Sequence, residues 1–153
     1  MGMDMLCVYS YEDAKNLRDK GFSQKLIVMG VHTDEQLKEL DTLNCILEIT
    51  SLHMAKRFVD LKLSSETFVV IDTGMHRLGI APEEVHECID IVKDLNVTGL
   101  QTHFASSEEL TNNYTERQVD TFNAVALSKV VPPFPPSTVV PVYMILVAGA
   151  KDV

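Results

Sequence analysis

Short runs of consecutive apolar residues alternate along this chain with longer segments whose apolar residues recur every three or four positions. That rhythm restricts the fold more than any other feature. Met5 to Ser10 (MLCVYS) reads as a buried strand; Glu12 to Lys20 then carries Ala14, Leu17 and Arg18 at helical spacing and is closed by Gly21. Lys25 to Gly30 (KLIVMG) is a second strand, followed by Thr33 as an N-cap, acidic residues in the first turn, and Leu37 and Leu40 on one face. Asn44 to Thr50 (NCILEIT) precedes a helix expected over Ser51 to Lys62. Phe68 to Asp72 precedes another over Pro82 to Leu95, with Pro at its first turn. Val97 to Phe104 (VTGLQTHF) opens a fifth unit whose helix runs from about Tyr114 to Lys129. Strands that are apolar throughout, each followed by an amphipathic helix, predict a parallel sheet covered by helices. The expected class is α/β.

The texture changes after Lys129. VVPPFPPST carries four prolines, which neither donate sheet hydrogen bonds nor continue a helix, so it is expected to be a connector. Val139 to Ala150 (VVPVYMILVAGA) reads either as a sixth strand or as an exposed apolar tail. The expected division is therefore one domain over residues 5–130 and a Pro-rich connector with an apolar tail over 131–153. Two architectures suit five or six such units: a doubly wound open sheet, or part of a (β/α)8 barrel. No GxGxxG follows the first strand, so the dinucleotide-binding form of the open sheet lacks its fingerprint.

Charge and cysteine content narrow the partners. A formal net charge of −9 offers no electrostatic grip on nucleic acid or anionic lipid. No segment approaches the roughly 18 apolar residues of a membrane helix, and Cys7, Cys45 and Cys88 show no CxxC spacing. A cytoplasmic protein with a small-molecule or protein partner is expected. His32, His53, His76 and His86 lack metal-ligand spacing, so no metal site is assigned.

In either architecture ligands bind beyond the carboxyl ends of the strands. Arg77, one of four arginines, follows a strand end in FVVIDTGMHRLGI. Its planar fork suits a carboxylate or phosphate, and the competing reading is a surface ion pair. His103 ends an apolar strand and reads either as a cofactor contact or as a satisfied core histidine. Asp72 reads as an acid or base, or as a turn-former bonding the following backbone. Asp72-Thr73-Gly74 after an apolar strand also fits an aspartic protease, whose fold, however, is nearly all β.

IDTGMHRLGI and GLQTHFASSEE, in this order and separated by one helix, resemble the two inner signatures of the alanine racemase family. The similarity extends more loosely through EDAKNLRDKGF, KLIVMG and QVDTFNAV, over roughly Leu6 to Leu127. The resemblance implies an alanine racemase-like (β/α)8 barrel, here partial with five to six units, that carries pyridoxal phosphate and interconverts L- and D-alanine in a dimer. It implies that Arg77 is the substrate-binding arginine beside the cofactor, and that His103 is the cofactor-binding histidine against its ring. The family's Schiff-base lysine, in a segment resembling KANAYGHG, has no counterpart in this sequence, nor does its catalytic tyrosine, so no catalytic residue is assigned and covalent cofactor attachment is not expected. The position seven before Arg77, often lysine in this family, is Val70. The chain is expected to be inactive alone, with a non-catalytic barrel fragment or pseudoenzyme as the alternative, and its open sheet edges are expected to favour self-association or a homodimer.

Overall fold

The computed structural model describes residues 5–107 and 113–128. Five strands, β1 (Met5–Val8), β2 (Lys25–Val28), β3 (Ile46–Ile49), β4 (Thr67–Ile71) and β5 (Val97–Thr102), form one sheet. Each is followed by a helix: α1 (Tyr11–Asp19), α2 (Asp34–Thr42), α3 (Leu52–Asp60), α4 (Val85–Val92) and α5 (Tyr114–Ala126). All neighbouring strands are parallel, and their spatial order β1-β2-β3-β4-β5 follows the sequence. A doubly wound sheet reverses direction at a switch point, whereas barrel strands add one after another. The described residues are therefore part of a (β/α) barrel, and the α/β expectation holds.

Alternation along each strand separates two apolar layers. Leu26, Val28, Leu47, Ile49, Val69, Ile71 and Leu100 point toward the helices and pack with Ala14, Leu37, Leu40, Phe58, Cys88 and Phe122. Ile27, Ile46 and Phe68 point the other way and gather Met5, Cys7 and Met29 into a smaller cluster on the barrel interior. Both faces are covered, which is why the strands read as unbroken apolar runs. Gly99 belongs to the interior face: a Cβ there would lie 2.8 Å from the Phe68 ring, so glycine makes room for the aromatic side chain.

The elements end earlier than the sequence suggests, because caps claim the terminal polar residues. Ser10, expected in the first strand, is the N-cap of α1 and accepts from the Asp13 N–H. Ser51 caps α3 in the same way, and Thr33 and Gln36 form a reciprocal capping box on α2. Pro82 opens a single 3-10 turn, Pro82–Glu84, and α4 starts only at Val85. Gly21, at φ +83°, lies just beyond the C-terminus of α1. The proposed sixth strand, Val139 to Ala150, lies outside the described residues, as does the 131–153 segment as a whole.

The amino-terminal rim of the sheet is tied by side chains. Arg18 donates to four backbone carbonyls: Phe22 at 2.7 Å, Gln24 at 2.9 Å, Leu43 at 3.0 Å and Asn44 at 3.2 Å. These carbonyls precede β2 and β3, so one guanidinium fixes where two strands begin. Glu66, just before β4, accepts from Lys25 Nζ at 2.7 Å and from Thr98 Oγ1 at 3.2 Å, linking β2 and β5.

Candidate functional site

The carboxyl ends of the strands and the loop after β4 surround a cavity of about 580 Å³ whose lining includes Arg77, His103, Glu48, Gln101, Met29 and Val70. Such a volume suits a small molecule. Arg77 and His103 thus share one cavity, at the rim where strand-end residues of a barrel converge.

The loop that carries Arg77 is built by Asp72 and Gly79. Asp72 accepts from the N–H groups of Gly74 and His76, each at 3.0 Å, and its second oxygen lies 3.1 Å from His76 Nδ1. Burial pushes its carboxyl up, but these hydrogen bonds prevail and hold it below the ordinary carboxylate range. Asp72 is the turn-former of its two readings, and the α/β fold is not the β fold that the protease reading requires. Farther on, the chain folds back: Gly79 N–H donates to Thr50 O at 3.0 Å, Ile80 N–H to Val70 O at 2.8 Å, and Asp72 N–H to Ile80 O at 2.9 Å. Gly79 has φ +130°, and a Cβ would come within 2.6 Å of Asp72 N, so only glycine fits.

Helix α5 fastens this loop to the end of β5. The buried Gln118 side chain donates to Thr73 Oγ1 at 3.1 Å and to His103 O at 3.2 Å, and accepts from Ala105 N–H at 3.0 Å. Tyr114 donates its hydroxyl to Gly74 O at 2.6 Å. Thr73 meets Thr102 at 2.8 Å. The backbones beneath Arg77 and His103 are therefore held in a fixed relation, while the Arg77 side chain is exposed and no described residue hydrogen-bonds it. Burial, helped by the positive charge of Arg77, pulls the His103 imidazole below its ordinary value, so it is neutral at pH 7.

Two further cavity residues escaped the sequence reading. Glu48, 6% exposed on β3, accepts from Gln101 Nε2 of β5 at 2.7 Å. Burial raises its carboxyl to about 7 against the pull of Gln101, the Gly30 N–H and Arg77. Gln101 is 3% exposed, and its Oε1 has no hydrogen-bond partner among the described residues. A signal was present in NCILEIT: a lone carboxylate in an apolar strand, two positions from Ile46, shares that residue's interior face. Elsewhere among the described residues no cluster of three His, Cys, Asp or Glu could hold a metal ion, and no helix is long and apolar enough to cross a membrane.

A parallel barrel sheet with an arginine and a histidine on its carboxyl rim defines the class as a (β/α)-barrel domain with a small-molecule cavity. Residues 1–135 match the family described as alanine racemase, N-terminal domain, and the chain belongs to that family. It is 31% identical over 131 residues to an alanine racemase of Methanococcus maripaludis, covering 80% of this chain and 35% of that relative. An alanine racemase of Vesicomyosocius okutanii is 28% identical over 122 residues, covering 78% and 35%. The chain thus spans about a third of the length of these curated relatives. Among solved structures, the fold is similar to alanine racemase of Clostridium difficile 630, with TM-score 0.77 at 24% identity, covering 88% of this chain and 40% of that one. It is similar also to a histidine racemase of Leuconostoc mesenteroides, with TM-score 0.74 at 21% identity, covering 88% and 38%.

Pyridoxal phosphate, the cofactor the family implies, can be tested against this lining. The cavity of about 580 Å³ has the volume for a small molecule of that kind, and Arg77 and His103 offer it a cationic donor and a flat ring. Among the described residues, no lysine lines the cavity.

Proposed function

We propose that this chain forms the substrate and cofactor rim of an amino-acid racemase of the alanine type, acting on L- and D-alanine with pyridoxal phosphate. When bound, that group supplies an electron sink for the substrate's α-carbon. Arg77 binds the substrate carboxylate and polarises the cofactor's phenolic oxygen, because a guanidinium that no described residue hydrogen-bonds has donors to offer to both. His103, neutral beside that arginine, lies against the ring without adding a second positive charge. Gln118 and Asp72 keep the two residues in register.

The single observation that carries this reading is the meeting of Arg77 and His103 on one cavity, in a chain that belongs to the family. Among the described residues the lining holds no lysine to attach the cofactor and no tyrosine other than Tyr9 to exchange a proton, and Tyr9 is 72% exposed. On this reading the described residues alone do not racemise alanine. Activity requires groups supplied from outside the described residues, and self-association through the edges of the described sheet, β1 and β5, within the cytoplasm, is the arrangement we favour.

The test is to incubate the purified chain with pyridoxal phosphate, reduce with borohydride, and map labelled lysines while measuring alanine racemisation. Reversible, Arg77-dependent cofactor binding without a specific labelled lysine is the expected result. A specifically labelled lysine with turnover would overturn the claim of inactivity. Absence of any cofactor binding would favour the alternative of a non-catalytic barrel fragment.

A further inference from the structure

The pair that bridges β3 and β5 is short of one hydrogen-bond donor. Gln101 Nε2 donates to Glu48 Oε1 at 2.7 Å, and both residues are buried. The amide's own oxygen, Gln101 Oε1, is closed off from solvent, and no described residue donates to it. Buried acceptors left without a donor are rare in folded proteins. An ionised Glu48 could not supply one, because a carboxylate only accepts, whereas a carboxylic acid carries an O–H. Turning the amide over does not remove the need. It would set oxygen against oxygen at 2.7 Å, which also calls for a proton between them. A carboxylic acid beside a primary amide exchanges two hydrogen bonds, N–H to carbonyl oxygen and O–H to amide oxygen, and leaves neither oxygen orphaned.

We propose that Glu48 is a neutral carboxylic acid in the folded chain, its O–H donated to Gln101 Oε1, and that this proton positions Arg77: when it passes to solvent, the cavity floor becomes an anion and draws the guanidinium down from the rim. Arg77 is able to respond because it is exposed and no described residue hydrogen-bonds it. It is the one permanent cation among the described residues lining the cavity, and its charge already favours the ionised form of Glu48. Attraction between two such groups is screened less in a partly buried cavity than in open water. The other titratable groups around the floor are the Cys7 thiol on β1, Tyr9 just beyond it, and His103 beyond β5. A thiol and a phenol are never cations, and His103 is held below its ordinary value. Arg77 is therefore the group that answers the charge on Glu48. Burial pushes Glu48 up to about 7, so the proton is in place below neutrality and is lost above it.

The test uses the whole 153-residue chain, isotope-labelled and free of any ligand, titrated by NMR from about pH 5 to about pH 9, across the transition expected for a buried acid. The Glu48 carboxyl carbon, assigned through its backbone, is expected to titrate near 7 rather than near 4.5. The Gln101 side-chain amide and the Arg77 Nε–H resonances are expected to move with the same midpoint. In Glu48→Gln, whose amide offers a donor at every pH, both resonances are expected to lose that transition. A Glu48 carboxyl already ionised at pH 6 in the natural chain would overturn the acid–amide pair, and this measurement needs no variant. A Gln101 amide that moves while Arg77 stays still, or an Arg77 transition that survives Glu48→Gln, would overturn the positioning role. Because no ligand takes part, the outcome is independent of the borohydride result.

Discussion

Arg18 and Arg77 stand at opposite ends of the same sheet and are used in opposite ways. At the amino-terminal rim Arg18 spends four of its five N–H donors on four carbonyls before β2 and β3. At the carboxyl rim Arg77 hangs from a loop that is itself tightly bonded, yet no described residue hydrogen-bonds its guanidinium. The same side chain is a structural clamp where its donors are taken up by the backbone, and on the reading proposed above it is a ligand contact where the described residues leave them unbonded. Barrel conservation of roles between bottom and top faces is general; here it is visible in two residues of one type.

The comparison is easiest to break at Arg18. Arg18→Ala removes four charge-assisted hydrogen bonds, two of them part-buried, and is expected to cost about 4 kcal/mol, read as a lower urea midpoint. A loss below about 1 kcal/mol would mean that water replaces the clamp without penalty. Next in size is the pH response of Glu48. Its folded-state pKa, raised by burial to about 7, exceeds the ordinary 4.5. Below 4.5 both states hold the proton; between 4.5 and 7 only the folded state keeps it, so stability falls as pH rises and the loss is complete above 7. At 1.36 kcal/mol per unit the decline is about 3 kcal/mol, and Glu48→Gln is expected to flatten it in denaturation series from pH 4.5 to 8. An unchanged slope in the variant would place the titration elsewhere. Smallest is Arg77→Ala, expected within about 0.5 kcal/mol of the natural stability while removing ligand binding. A large destabilisation would show that Arg77 too is a structural residue.

The sheet was legible because each strand is buried on both faces and each helix on one, so runs and periods mark them even without knowledge of contacts. Element ends were less legible: Ser10 and Ser51 look like strand or helix residues until their side chains are seen to cap. At the site, Arg77 and His103 could be read from position, since both follow strand ends. Glu48 left only the signal of a lone carboxylate in an apolar strand, and Gln101 and Gln118 left none, because their importance lies in partners 53 residues apart for Gln101 with Glu48 and 45 for Gln118 with Thr73, and periodicity carries no such information. Val70 is a different case, seen in the sequence as a departure and found lining the cavity.

The order in which the strands add has a kinetic consequence. Met5 pairs with Lys25, Ile27 with Ile46, Leu47 with Thr67 and Thr67 with Val97, so every closure spans only the nearest strand-helix unit. Low contact order of this kind keeps the entropy of each closure small and nearly equal. During synthesis the sheet can zip forward from its first strand, each addition templated on the one before, with the cavity floor completed only when β5 brings Gln101 beside Glu48.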